Sequence, residues 1–151
     1  MRSEFALLAF AMAALVFGGA FEELLPKPFG VGFPILLCAS IWFARRARPT
    51  AAFVFVLAAG TVEDALAGLP FVMSASYFVL AAFVVRFLWV PGVFAPLFYL
   101  GYQFWLWLWV VDLQGSLFMR ALLALPVGAG TALGVTLLLD AVQREGGLDE
   151  R

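Results

Sequence analysis

The segment TAAFVFVLAAGTVEDALAGLP, residues 50–70, decides how the rest of the chain is read. It opens on an apolar run, meets two carboxylates at Glu63 and Asp64, and closes on Gly68 and Pro70. A helix from Thr50 to Leu69 would rise about 30 Å, the thickness of a bilayer's hydrocarbon core. Gly60, Asp64 and Gly68 recur at every fourth residue, so they share one helix face with a drift of about 40° per step. Two glycines around a carboxylate form a shallow groove that another backbone can enter, with Asp64 placed to accept hydrogen bonds from it. A carboxylate at membrane depth is costly and marks a functional candidate. If the helix ends early, Glu63 and Asp64 are its wet outer end.

Working outward, the same pattern recurs. The 151 residues are 65% hydrophobic and 13% charged, more apolar than a soluble domain of this length can hide. Apolar runs extend over Phe5 to Phe21, Phe29 to Ala44, Phe71 to Trp89, Val93 to Val111 and Leu117 to Leu139. Pro26-Lys27-Pro28, Arg45-Arg46-Ala47-Arg48-Pro49, Pro70, Pro91-Gly92 and Asp112 to Ser116 separate them. Pro126 and Gly128 fall inside the last run, where a helix bundle can tolerate them. This predicts an all-α integral membrane protein: about six short transmembrane helices in one bundle over residues 1–143, then a polar tail over 144–151. Arg2 and the run after it imitate a secretory signal, but the first run is expected to remain as a span.

Charge placement orients the bundle. With six spans, Arg2, Arg45, Arg46, Arg48, Arg86, Arg144 and Arg151 fall on one side, and Lys27 and Arg120 on the other. The positive-inside rule then puts both termini in the cytoplasm, with Glu22-Glu23, Glu63-Asp64 and Asp112 toward the outside. Arg86, near the inner end of its span, is expected to snorkel to headgroups. Trp105, Trp107 and Trp109 read as an interfacial belt at the outer end of the fifth span.

Several chemistries are excluded. Histidine is absent and Cys38 is the only thiol, which removes His-ligated metal or haem, thiolate metal sites, and Ser-His or Cys-His nucleophiles. Carboxylates alone could still hold a metal. A net charge of −1 offers no basic surface for nucleic acid. No cofactor is expected. Small residues at Ala9 and Ala13, and again at Gly130 and Gly134, mark faces where another helix could pack.

The order of six spans, the basic loop after the second, and G-x-x-x-D-x-x-x-G-x-P in the third resemble the bacterial rod shape-determining protein MreD family. That family's motif maps onto Gly60, Asp64, Gly68 and Pro70; its second glycine after the proline would fall at Val72, and Glu63 stands where the family is usually apolar. The resemblance implies a noncatalytic scaffold in the bacterial inner membrane that binds an MreC-type single-span partner within the cell-wall elongation machinery. It also implies a bundle similar to the substrate-binding subunits of energy-coupling vitamin transporters. Partner binding would fall to Gly60, Asp64, Gly68, Pro70, Ala9 and Ala13. On the transporter alternative, Glu63, Asp64, Gln103, Asp112 and Arg120 would line a polar pocket near the outer side. An intramembrane enzyme would need groups such as Asp64 and Asp112 to converge at one depth.

Overall fold

A computed structural model describes the backbone of residues 2–24, 34–109 and 115–145, and the side chains of 9–21, 23–24, 34–109 and 122–142. All regular structure among them is helical: α1 (Arg2–Leu24), α2 (Ile35–Arg46), α3 (Pro49–Ala67), α4 (Met73–Phe87), a 3-10 turn (Gly92–Phe94), α5 (Ala95–Trp109) and α6 (Gly115–Glu145).

Helix α2 is the axis of the molecule. Every residue from Leu36 to Ala44 is buried, as expected of a helix that is apolar on all sides, and it touches each of the other helices. Its 12 residues rise only about 18 Å. Of the expected second span from Phe29, the described part is helical from Ile35, and residues 25–33 lie outside the described ones.

Neighbouring helices run antiparallel to α2 or alongside it, as side-chain contacts establish. Phe10 of α1 meets Trp42 with ring centroids 4.7 Å apart, whereas Gly18 faces Leu36 and Ile35, so α1 descends past α2. The Cys38 thiol donates to the Ala132 carbonyl at 3.6 Å and Arg46 pairs with Asp140, so α2 and α6 run together.

Helix α3 begins where its sequence permits, with Pro49 in the first turn, where a missing N–H is no loss. It stops at Gly68, which adopts the left-handed conformation (φ 64°, ψ 29°). The N–H groups of Gly68 and Leu69 both return to the Asp64 carbonyl, closing the helix as a Schellman motif. Four residues later α4 starts. Both ends of α4 fall inside the expected Phe71 to Trp89, and α5 similarly runs from Ala95 rather than Val93.

Helix α6 is the longest, at 31 residues, and continues through Pro126. That proline is on the exposed side, away from the buried stripe Ala124, Gly128, Ala132 and Thr136. The helix reaches Glu145, so the first two residues of the expected tail are helical and the remainder is outside the described residues.

Among the described residues, two helices are long and apolar enough to cross a membrane, Pro49–Ala67 and Leu122–Val142. Ala9–Phe21 and Met73–Phe87 are shorter apolar helices of the same character.

Candidate functional site

Helix α4 begins without a cap of its own: Val72 occupies the N-cap position and has no polar side chain to offer the first turn. The first N–H groups of any helix have no partner within it. Here the missing acceptor comes from the preceding helix. Asp64, 2% exposed, points from the end of α3 so that its Oδ1 accepts the Ser74 backbone N–H at 2.6 Å. An anionic oxygen on the N-terminal turn also suits the helix dipole.

Gly60 makes this reach possible. One turn before Asp64, a Cβ built there would overlap the Ala75 Cα and lie 2.7 Å from the Ala75 nitrogen. The two helices are in backbone contact at that level, which only glycine permits. The groove read from Gly60 and Asp64 thus has an occupant, the first turn of this chain's own α4. Gly60 admits the backbone, the Asp64 carboxylate starts α4, and the Asp64 carbonyl ends α3.

A polar network extends from this hairpin to α5. The Ser74 hydroxyl lies 2.6 Å from the Tyr102 hydroxyl, and the Trp105 indole N–H donates to the Met73 carbonyl at 3.2 Å. Tyr77 donates to the Phe98 carbonyl at 2.6 Å, its hydroxyl lying where a Cβ on Gly101 would be. Tyr77 packs against both Tyr102 and Trp105, with centroids 5.4 and 6.0 Å apart. Ser74, Tyr77 and Tyr102 were missed by motif reading, because a serine or tyrosine in an apolar run has no spacing signature. Trp105 was read as part of an interfacial belt; its ring is half-buried and bonded inward, while Trp107 and Trp109 are exposed.

The remaining expected site residues divide. Gly68 and Pro70 are exposed at the hairpin tip, Ala9 is exposed on α1, and Ala13 is half-buried. Glu63 and Gln103 come together around Tyr99: the Tyr99 hydroxyl is buried beside Gln103, with the Glu63 carboxylate within electrostatic reach. Tyr99 itself lies flat on α6, its ring where a Cβ on Gly128 would be. Among the described residues, Asp64 Oδ2 is buried without a hydrogen-bond partner. Asp112 and the side chain of Arg120 lie outside the described residues, so the expected Asp64 and Asp112 pair does too.

At the opposite end of the bundle, arginines organise the termini of α2 and α4. Arg86, expected to snorkel, instead turns one guanidinium nitrogen toward the last turn of α2, donating to the Ala44 and Ala47 carbonyls at 3.0 and 2.8 Å. The open carbonyls of a helix C-terminus carry partial negative charge, so a cation there satisfies both bonding and electrostatics. Arg46 pairs with Asp140 at 2.8 Å and lies over the Trp42 ring, 4.6 Å from its centroid.

No family model, no curated protein and no solved structure matches this chain.

Proposed function

We propose that the chain is a noncatalytic scaffold of the bacterial inner membrane that docks the transmembrane helix of an MreC-type bitopic partner in cell-wall elongation, as its resemblance to the MreD family implies. In this reading six short helices cross the bilayer and both termini are cytoplasmic. Misplaced apolar surface supports the membrane assignment. The two helices long enough to cross have only 33% and 22% of their apolar windows buried, the reverse of a soluble core helix.

The scaffold reading is carried by a contrast between two sets of glycines. Gly60, Gly101 and Gly128 are filled from within the chain by Ala75, Tyr77 and Tyr99. Gly130 and Gly134, on the exposed side of α6, have nothing among the described residues within 4 Å of a built Cβ. A partner helix could reach the α6 backbone there without displacing anything, the close approach that drives helix association in lipid.

The test is affinity purification of tagged protein from native membranes in mild detergent, followed by mass spectrometry. Gly130→Leu with Gly134→Leu is expected to lose a single-span, coiled-coil-bearing partner while the bundle stays monodisperse. Undiminished partner recovery would count against the scaffold reading.

A second reading, a small-molecule binder similar to the substrate subunits of energy-coupling vitamin transporters, draws on the buried Tyr99 hydroxyl beside Gln103, within electrostatic reach of Glu63. Recovery of a bound small molecule together with an ATPase-linked membrane subunit would favour it over the scaffold.

A further inference from the structure

We propose that Trp89 is a membrane-interface anchor, an indole that fixes the end of α4 at the boundary between acyl chains and phospholipid headgroups. The inference rests on the membrane reading above and on no protein partner. The backbone supplies the first observation. Helix α4 ends at Phe87, and the Val90 N–H returns to the Val85 carbonyl at 3.2 Å, the six-to-one bond of a Schellman motif. That closure needs a left-handed residue just before Val90, ordinarily glycine. Trp89 holds the position instead, at φ 51°. A residue with a Cβ is strained there. With the side chain 88% exposed, contacts within the chain offset little of that strain.

The second observation is the level at which Trp89 stands. Arg86 bonds the Ala44 and Ala47 carbonyls, and Arg46 pairs with Asp140. Both charges are engaged within the chain; what they mark is the rim where α2 and α4 leave the apolar layer. Gly92, three residues after Trp89, joins that rim, since a Cβ on it would lie 3.7 Å from Asp140 Oδ2. On the other side of Trp89 the surface is apolar. Phe83 and Phe87 stack along the exposed side of α4, centroids 5.6 Å apart and planes within 11°, and Leu80 and Leu88 are exposed beside them. Trp89 therefore stands on the seam between an apolar flank and a charged rim. An indole fits that seam because its ring is apolar and its N–H needs a polar partner. The flank itself selects lipid over a second helix. From Leu80 onward the exposed residues of α4 are Leu80, Phe83, Arg86 and Phe87, none of them small enough to admit another backbone, whereas fluid acyl chains can fill the space around bulky rings.

The experiment reconstitutes the full chain in phosphatidylcholine vesicles that carry bromines either near the headgroup end or near the terminus of the acyl chains, and reads quenching of tryptophan fluorescence. Trp89→Phe keeps an aromatic ring at the same turn, so wild type minus Trp89→Phe isolates the emission of Trp89. That difference should be lost most with headgroup-end bromines and least with chain-end bromines. In native membranes, benzoylphenylalanine in place of Trp89 should crosslink on irradiation to phospholipid, read as a lipid-sized mass increment on the protein.

Quenching of the difference emission that is equal at the two depths, deepest at the chain ends or absent would overturn the proposal. So would a crosslink to protein in place of lipid, which would make Trp89 part of a protein interface. The emission that remains in Trp89→Phe separates this failure from that of the membrane reading. If it is quenched while the difference is not, only the anchor fails; if no brominated lipid quenches either, the chain does not sit in the bilayer.

Discussion

Replacing Val72 with glycine should stabilise the protein, although it removes a side chain. Pro70 to Met73 form a turn closed by the Met73 N–H on the Pro70 carbonyl at 3.2 Å. Val72 occupies its third position with φ 75° and ψ 3°. Those are the dihedrals of that position in a type II turn, where glycine is the natural occupant. A β-branched residue is the least suited to positive φ, and such strain costs about 2–3 kcal/mol. Against this, glycine loses about 0.5–1 kcal/mol of backbone entropy. The isopropyl group, 42% exposed, gives up about 0.9–1.7 kcal/mol of burial. The balance is a gain on the order of 0.5 kcal/mol, a shift of roughly 1–2 °C for a chain of this size. The assay is the fraction of detergent-purified protein that stays monodisperse after heating. Val72→Ala serves as the control, because it loses the same contacts and keeps a Cβ at positive φ. Val72→Gly should melt highest, and Val72→Asn should fall between it and Val72→Ala. If Val72→Ala melted at or above Val72→Gly, the turn would not be strained and the reasoning would be wrong.

Gly60→Ala should destabilise by about 1–3 kcal/mol, because its Cβ meets backbone that no rotamer change can move. Gly130→Ala, with open space above it, should be neutral or slightly stabilising in the same melting assay. Asp64→Leu leaves the buried Ser74 N–H without an acceptor and should cost about 1–3 kcal/mol, whereas Asp64→Asn keeps an oxygen for it and should cost less; equal losses would dismiss the capping role. Arg86→Gln should lower stability by about 1–2 kcal/mol through the freed Ala44 and Ala47 carbonyls, with Arg86→Lys recovering part of it. A double-mutant cycle on Arg46→Gln and Asp140→Asn should return a coupling of about 0.5–1 kcal/mol, modest because both side chains are about a quarter exposed.

The helical class was legible because apolar runs of this length and number leave little alternative, and the breaks at Pro49, Gly68 and Pro70 act locally enough to be read from residue type. What could not be read was who occupies each face. Periodicity put Gly60 and Asp64 on one side of α3, but a face is shown by three or four residues and its occupant only by the fold. The occupant is ten residues further along, at Ser74. Arg86 illustrates the same limit. A charge near a helix end looks alike in sequence whether it reaches headgroups or another helix's carbonyls, and only the adjacency of the α2 and α4 termini decides. The central place of α2 was hidden because a continuous apolar run reads the same facing lipid or protein. The absence of glycine at Val72, a departure from the MreD pattern, falls at a turn position whose backbone is glycine-like.

These observations change what Asp64 is evidence for. A carboxylate deep in an apolar helix is ordinarily a pointer to transport or catalysis, because nothing less would justify the cost of burying it. In this chain a helix start must be satisfied where water is scarce, and Val72 cannot do it. Asp64 supplies that acceptor from the neighbouring helix, which accounts for Oδ1 in full and for the glycine one turn before it. Loss of partner binding in an Asp64 variant would therefore not separate a docking contact from a broken hairpin. A surface that can carry a separable function is one with no structural task of its own, such as the open glycines of α6. Variants there change what the bundle meets without changing how it is built.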